Sequence, residues 1–472
     1  MKTELVNPNI KNFIKSFRDV GYTFEIAVAD ILDNSISANA TEINIYIVPS
    51  PKLFFCMLDN GKGMSEKELV EAMRLATKNP EEEREKKDLG RFGLGLKTAS
   101  FSQCKKLTVL SKKDGIVSIR QWDLDYISST NQWLLITPNL SDFKDTPLVD
   151  ELNSLESGTL VIWEEIDRYK EESFSTNIEK LRKHLSLVFH RFLEGSDSFT
   201  KLKISINNSL LKPFDPFNTN NDATFRKSSE KIKIYDSMIE VTPYILPHHS
   251  KVSRQEWEEY STSDGYIKSQ GFYLYRTNRL LIHGTWWGLH KAIDAHKLVR
   301  IKIDISNKQD SYWGIDIKKS TANPMPEIKK DLKRIILEVT KEGLKPFVKR
   351  DRKINDKTTT RFWTTIPNNE EFRFGLNKEH PIYQKLLTSL SEDGISLLNI
   401  YLKGLEAYLP LSAIQSQLQQ NPHKVKQEQA LSDEDIEKLV VKLQSSGLSQ
   451  EYIDSLLKTE IFKNKKGLLE DE

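Results

Sequence analysis

The chain has 472 residues, long enough for two to four domains, with 38% hydrophobic and 29% charged residues. Lys and Arg total 69 against 67 Asp and Glu, a net charge of +2, which argues against a wholesale nucleic-acid coat or a polybasic membrane binder. Cys56 and Cys104 are too few for a disulfide framework or a Cys-rich zinc site, no apolar run is long enough to span a bilayer, and the N-terminus shows no signal-peptide core; the chain reads as cytoplasmic.

In chain order, residues 1–20 are polar and show no strong pattern. Residues 24–38 carry Ile26, Ala29, Ile31 and Leu32 near a helical period. Residues 41–48 alternate Ile43, Ile45 and Ile47 and predict a strand. Residues 53–58 form a continuous apolar run, as in a buried strand. Ser65 with Glu68 has the capping-box pattern of a helix running to about residue 76. Strands are predicted at 107–111, 117–122 and 159–163, then a helix at 177–193. Residues 210–221 are rich in Pro and Asn and read as a linker. Beyond it, strands at 239–245, 271–275 and 298–305 precede a helix at 327–344. Residues 349–360 read as a charged linker, and the tail is helical at 383–390, 395–409 and 431–457.

Three short segments carry chemistry. In Asp30-Ile-Leu-Asp33-Asn34, positions 30 and 34 are one helical turn apart, so a carboxylate and a carboxamide project together. Asp59-Asn60-Gly61-Lys62-Gly63-Met64 directly follows a buried strand, and its two glycines allow close backbone approach to a ligand. Gly90-Arg91-Phe92-Gly93-Leu94-Gly95-Leu96-Lys97-Thr98 places free amides before a helix and adds a lysine, as in an anion cradle. Each has a bland alternative: a solvated helix face, a simple turn, a flexible connector. The third is not a P-loop, because Leu96 separates glycine from lysine and a charged stretch precedes it.

Together, in this order, they resemble the N box, the DxGxG box and the glycine-rich lid box of the GHKL (Bergerat-fold) ATPases. That superfamily includes the gyrase B subunit, the ninety-kilodalton heat-shock chaperones, MutL, MORC proteins and sensor histidine kinases. Ser157-Gly158-Thr159 is similar to the strand that backs the adenine pocket. Gly271-Phe-Tyr-Leu-Tyr275-Arg-Thr-Asn278-Arg279 resembles a strand of the MORC transducer domain, and the stretch from Trp313 to Ser320 looks like its lysine-delivering loop. The closest resemblance is to bacterial MutL/MORC-like ATP-binding proteins. It implies an α+β fold: a Bergerat ATPase domain at 21–210 with helices on one face of a mixed sheet, an S5-like transducer at 211–348 and a helical region at 349–472. Residues 1–20 would be a segment exchanged between protomers.

The resemblance also implies roles. Asp30 would be the general base, an acid one methylene shorter than the Glu of most MutL and MORC relatives, so slow turnover is expected. Asn34 would ligate Mg²⁺ and Asp59 would accept from the adenine amino group. Gly61, Gly63 and Met64 would wall the adenine, and Thr159 would reach it through water. Gly90 would open the phosphate loop. The amides of Arg91, Phe92, Gly93, Leu94, Gly95 and Leu96, with the Lys97 side chain, would hold the phosphates, and residues 75–96 would form a lid. Lys318 or Lys319 would supply the transition-state cation, with Lys308 as a competitor. ATP-dependent homodimerisation, a DNA-associated role in phage defence or restriction, and partner proteins of a defence or repair operon are further expectations. A clamp that binds ATP with little turnover is the main alternative. A histidine kinase is disfavoured because no His precedes His184, and there is no room for a topoisomerase cleavage domain. The long linker and large later domains of the chaperones, the metal motif of MutL nucleases and the Cys-rich finger of eukaryotic MORC proteins are not seen.

Overall fold

In the computed structural model, the described residues are 3–4, 9–75, 95–169, 174–195, 200–235, 237–262, 265–316, 318–343, 359–368 and 371–420, with shorter stretches between 424 and 462. The chain divides into two compact units, residues 1–246 with 260–340, and residues 247–259 with 341–472. No helix among the described residues is long and apolar enough to cross a membrane.

The first unit opens with α1 (Ile10–Arg18) and α2 (Phe24–Ser37). The strands β1 (Glu42–Val48) and β2 (Phe54–Asp59) follow, then α3 (Glu66–Met73) and α4 (Gly95–Gln103). Next come β3 (Cys104–Lys113), β4 (Ile116–Asp123), α5 (Leu124–Thr130), α6 (Val149–Ser154) and β5 (Gly158–Ile166). Two helices, α7 (Phe174–Val188) and α8 (His190–Glu194), precede β6 (Lys203–Ile206) and β7 (Ser209–Leu210). These strands form one seven-stranded sheet in the order β4-β3-β5-β2-β1-β6-β7. Only β1 and β6 run parallel, so the sheet is mixed.

The apolar run of β2 is continuous because both faces of the sheet are covered. Phe55 and Met57 join the large core under α2, α4 and α7, with Ile43, Ile45, Val109 and Trp163. Cys56 and Leu58 face the opposite side, where Phe143, Val149 and Leu152 pack over them. The capping box expected at Ser65 is present: the Ser65 Oγ accepts from the Glu68 amide, and Glu68 accepts from the Ser65 amide.

Residues 10–18, expected to be patternless, are helical. Asn9 caps α1, accepting from the Asn12 amide at 3.0 Å, and Ile14 is its only buried side chain. The Arg18 Nε donates to the carbonyl of Phe101 at 2.8 Å, holding α1 against α4. The segment 210–221, expected as a linker, is packed. Phe217 is buried among Tyr244, Tyr273, Tyr275 and Leu280.

The second sheet of this unit holds β8 (Phe225–Arg226), β9 (Glu230–Ile234), β10 (Ser237–Ile245), β11 (Gly271–Arg276), β12 (Arg279–Thr285) and β13 (Val299–Ile305). Its order is β12-β11-β13-β10-β8, with β9 on β10 and a parallel β11–β13 pair. The helix at Pro326–Gly343 buries Ile328, Leu332, Ile335, Ile336 and Val339 against it. The second unit carries the hairpin Trp363–Asn368 with Glu371–Leu376 and helices at Pro381–Ser389, Glu392–Ala407, Leu411–Gln420 and Gln450–Leu457.

Candidate functional site

One end of the site is built where β2 stops. Asp59 pairs with Ile43 of β1 and Thr159 of β5, so it is fixed from both sides. Its carboxylate lies on the face shared with α2. There Oδ2 accepts from the Ser35 hydroxyl at 2.6 Å and Oδ1 from the Gly61 amide at 2.9 Å. The side chain is 4% exposed, and burial pushes its carboxyl above the usual range, against the hydrogen bonds from Ser35, Gly61 and the Thr159 backbone. Thr159 Oγ1 lies 2.9 Å from Ser111 Oγ, which also accepts from the Met64 amide at 2.8 Å.

The glycines serve packing. Gly63 has φ +62°, and a Cβ there would lie 2.0 Å from the carbonyl oxygen of Lys112. At Gly61 a Cβ would meet Ala38 Cβ and Asp59 Oδ1, both at 2.9 Å. Met64 packs against the core beside them.

The other end is an acid cluster on α2. Asp30 and Asp33 are three positions apart and project from the same side of the helix. They are 2% and 0% exposed, which requires compensating charge. Two cations arrive from far along the chain. Arg279, the first residue of β12, places Nε 2.7 Å from Asp33 Oδ1 and Nη2 3.6 Å from Asp30 Oδ1. Lys319 Nζ lies 3.2 Å from Asp30 Oδ1 and also donates to Asp33 Oδ2. The Lys319 turn has φ +55° and is held by Asp316, whose Oδ1 accepts from the amides of Ser320 at 2.8 Å and Thr321 at 2.9 Å. Tyr22 Oη donates to Asp30 Oδ2 at 2.8 Å. Burial raises the Asp30 carboxyl and Asp33 adds to it, while Lys319, Arg279 and the Tyr22 hydroxyl oppose it.

Of the lysines considered, Lys319 is brought to Asp30. Lys318 Nζ instead lies 3.6 Å from the Cβ position of Gly21, and Lys308 is exposed on the turn Asn307–Gln309. Asn34 is exposed; its Nδ2 donates to the Asp30 carbonyl at 3.2 Å, which leaves Oδ1 on the opposite side of the amide.

Gly90, Arg91, Phe92, Gly93 and Leu94, and with them most of the expected lid, lie outside the described residues. Gly95 opens α4, and a Cβ there would lie 4.0 Å from Asp30 Oδ2, so the helix N-terminus adjoins the acid cluster. Leu96 packs into the core. Lys97 is buried, and its Nζ donates to the Ala72 carbonyl of α3 at 2.9 Å, away from the Asp30 cluster.

These donors fit Mg²⁺-ATP. Asp59 is a buried acceptor with spare lone pairs for an exocyclic amino group, the Asn34 Oδ1 is a hard oxygen for Mg²⁺, and the start of α4 is a place for phosphate charge. Sequence reasoning missed Tyr22, Asp33, Ser35, Ser111 and Arg279 as site residues. The available signal was Asp33: a second acid on a helix face otherwise apolar at Ala29, Ile31 and Leu32 calls for a buried cation.

A family model described as histidine kinase-, DNA gyrase B- and HSP90-like ATPase matches residues 22–159, the span that holds Asp30, Asp59 and Thr159. The ATPase MORC2B of Mus musculus is 25% identical over 166 residues, 33% of this chain and 16% of that protein. The ATPase morc-1 of Caenorhabditis elegans is 29% identical over 118 residues, 25% of this chain and 13% of that protein. The chain therefore spans only a small part of the length of these curated relatives. By these matches and the mixed sheet that carries the site, residues 22–159 are similar to a histidine kinase-, DNA gyrase B- and HSP90-like ATPase domain, and the chain is similar in part to the MORC ATPases.

Proposed function

We propose that this chain binds ATP with Mg²⁺ and hydrolyses it slowly. The observation that carries the reading is the contact between the buried Asp30 and the half-buried Lys319, 289 positions apart, which packing of the hydrophobic core alone does not require. Bound ATP supplies the scissile phosphoanhydride and Mg²⁺ offsets its charge. Asp59 accepts from the adenine amino group, with Gly61, Gly63, Met64 and Thr159 around it. Asn34 holds the metal through Oδ1. Asp30 takes the proton of the attacking water, and Lys319 offsets charge that builds on the phosphoryl oxygens. Residues 90–96 are assigned to the phosphates. Lys97 donates one of its three N–H groups to the Ala72 carbonyl, and the reading gives the phosphates another.

Both Asp30 oxygens are already engaged, Oδ2 by Tyr22 and Oδ1 by Lys319. The Lys319 cation weakens Asp30 as a base, which favours low turnover and keeps a second reading, an ATP-binding clamp, as the alternative. Phosphate release from wild type and Asp30→Asn separates the two. The hydrolysis reading expects at least about a hundredfold loss in the variant with ATP still bound. Equal rates would remove Asp30 from the base role.

On the resemblance alone rest four further proposals: ATP-dependent homodimerisation with exchange of residues 1–20, a cytoplasmic location, a DNA-associated role in phage defence or restriction, and partner proteins from the same operon. Sedimentation with a non-hydrolysable ATP analogue tests the first. A chain that stays monomeric with the analogue bound would refute it.

A further inference from the structure

We propose that Tyr22 is a positioning residue for Asp30, linking it to Thr98 on the first turns of α4. The inference rests on the hydrolytic reading of the Asp30 site. A carboxylate can rotate about its terminal torsion, which is broad and roughly two-fold. Asp30 is kept from doing so by unlike partners: the neutral Tyr22 hydroxyl on Oδ2 at 2.8 Å, and the cations Lys319 and Arg279 on Oδ1 at 3.2 and 3.6 Å.

Tyr22 is itself fixed. It follows Gly21, whose φ of +79° shapes the turn between α1 and α2. Its carbonyl accepts from the Gln103 Nε2 at 3.3 Å. Its phenol donates to Asp30 and is also partnered by the Thr98 side chain, whose Oγ1 lies 3.4 Å from the Gly95 carbonyl. Thr98 sits three residues after Gly95, the point where α4 adjoins Asp30. The chain Thr98–Tyr22–Asp30 therefore makes the orientation of the acid depend on where the first turns of α4 lie. Without the phenol hydroxyl, the Asp30 carboxylate is free to turn both oxygens onto Lys319, which misaligns the base and occupies the cation together.

The experiment uses the full chain with Tyr22→Phe, which keeps the ring in its packing. ATP affinity is read by competition with a fluorescent ATP analogue, and hydrolysis by single-turnover phosphate release. The expected result is a fall in the hydrolysis rate of about tenfold to a hundredfold with affinity within about twofold of wild type. Thr98→Val, which leaves the phenol in place, should lower the rate in the same direction by about threefold. An unchanged rate in Tyr22→Phe, or affinity falling in parallel with rate, overturns the proposal. An independent readout needs no nucleotide: the unfolding temperatures of Tyr22→Phe, Asp30→Asn and the double variant. Shifts that fail to add support the contact, and shifts that add overturn it. If wild type does not hydrolyse ATP, the hydrolytic reading fails by itself, and the unfolding cycle still decides whether Tyr22 holds Asp30.

Discussion

Replacing Arg279 with Met removes one of the two cations paired with Asp33 while keeping an apolar stem of similar length. Asp33 is fully inaccessible and its Oδ1 accepts from the Arg279 Nε at 2.7 Å. The variant leaves two buried carboxylates sharing Lys319. Removing one partner of a buried ion pair costs about 3–5 kcal/mol, because the remaining charge has no water to return to. Met retains contact beside the Phe189 ring, over which the guanidinium lies at 5.7 Å, so lost packing is a small part of the cost. At about 2–4 °C per kcal/mol for a large unit, the unfolding temperature of the first unit should fall by roughly 6–20 °C. Scanning calorimetry of the nucleotide-free protein at neutral pH measures it. Adding Asp33→Asn should restore at least half of the loss by removing one of the two carboxylates left on Lys319. A shift of Arg279→Met below about 1 °C would refute the view that the cluster is a buried, ion-paired site.

Lys319→Met should lower ATP hydrolysis by about a hundredfold or more, and Lys318→Met by less than about threefold, in single-turnover assays; the reverse order would move the cationic role to Lys318. Gly63→Ala places a Cβ 2.0 Å from the Lys112 carbonyl, so fluorescent ATP-analogue binding should be lost while circular dichroism keeps most of the secondary structure. Burial pushes the Cys56 thiol up to about 12 and raises Cys104 as well, so a thiol reagent at about pH 8 should label neither in the folded protein and both after unfolding. Ser65→Ala removes the cap of α3 and should cost about 1 kcal/mol in denaturant unfolding. Glu68, held down to about 2 by Lys113 and Ser65, is depressed in the folded state. The stabilisation it contributes is therefore present above the ordinary carboxylate pKa and is lost as pH falls toward about 2.

Local features of the site were legible in the sequence. The alternation of β1, the apolar run of β2 and the box at Ser65 each report on neighbours a few residues away, and the elements stand where those patterns lie. The α1 helix is legible in hindsight, because Ile10, Phe13, Ile14 and Phe17 stand at i, i+3, i+4 and i+7, but the pattern spans only nine residues inside a polar segment. Residues 210–221 read as a linker because Pro and Asn mark turns, yet Leu211 in the main core and Phe217 in an aromatic cluster anchor the segment. The cations of the acid cluster could not be paired from sequence. Arg279 meets Asp33 across 246 positions and Lys319 meets Asp30 across 289, and periodicity carries no information over such separations. Nor could spacing show that Lys97 is tied to α3, since that depends on how α4 leans against its neighbour.

The register of β2 has a consequence for which length changes the chain can survive. Asp59 reaches Ser35 because it shares a face with Phe55 and Met57, and successive strand residues point to opposite faces. Deleting one residue anywhere between Phe54 and Leu58 would turn the carboxylate toward Phe143 and Leu152, or else carry the whole apolar set to the wrong side. The hairpin at Asp114-Gly115 is different: both residues have positive φ, and a Cβ at Gly115 would meet nothing within 4 Å. Lineages of this protein are thus free to vary in length at that turn, while β2 admits substitution but not a change in its number of residues.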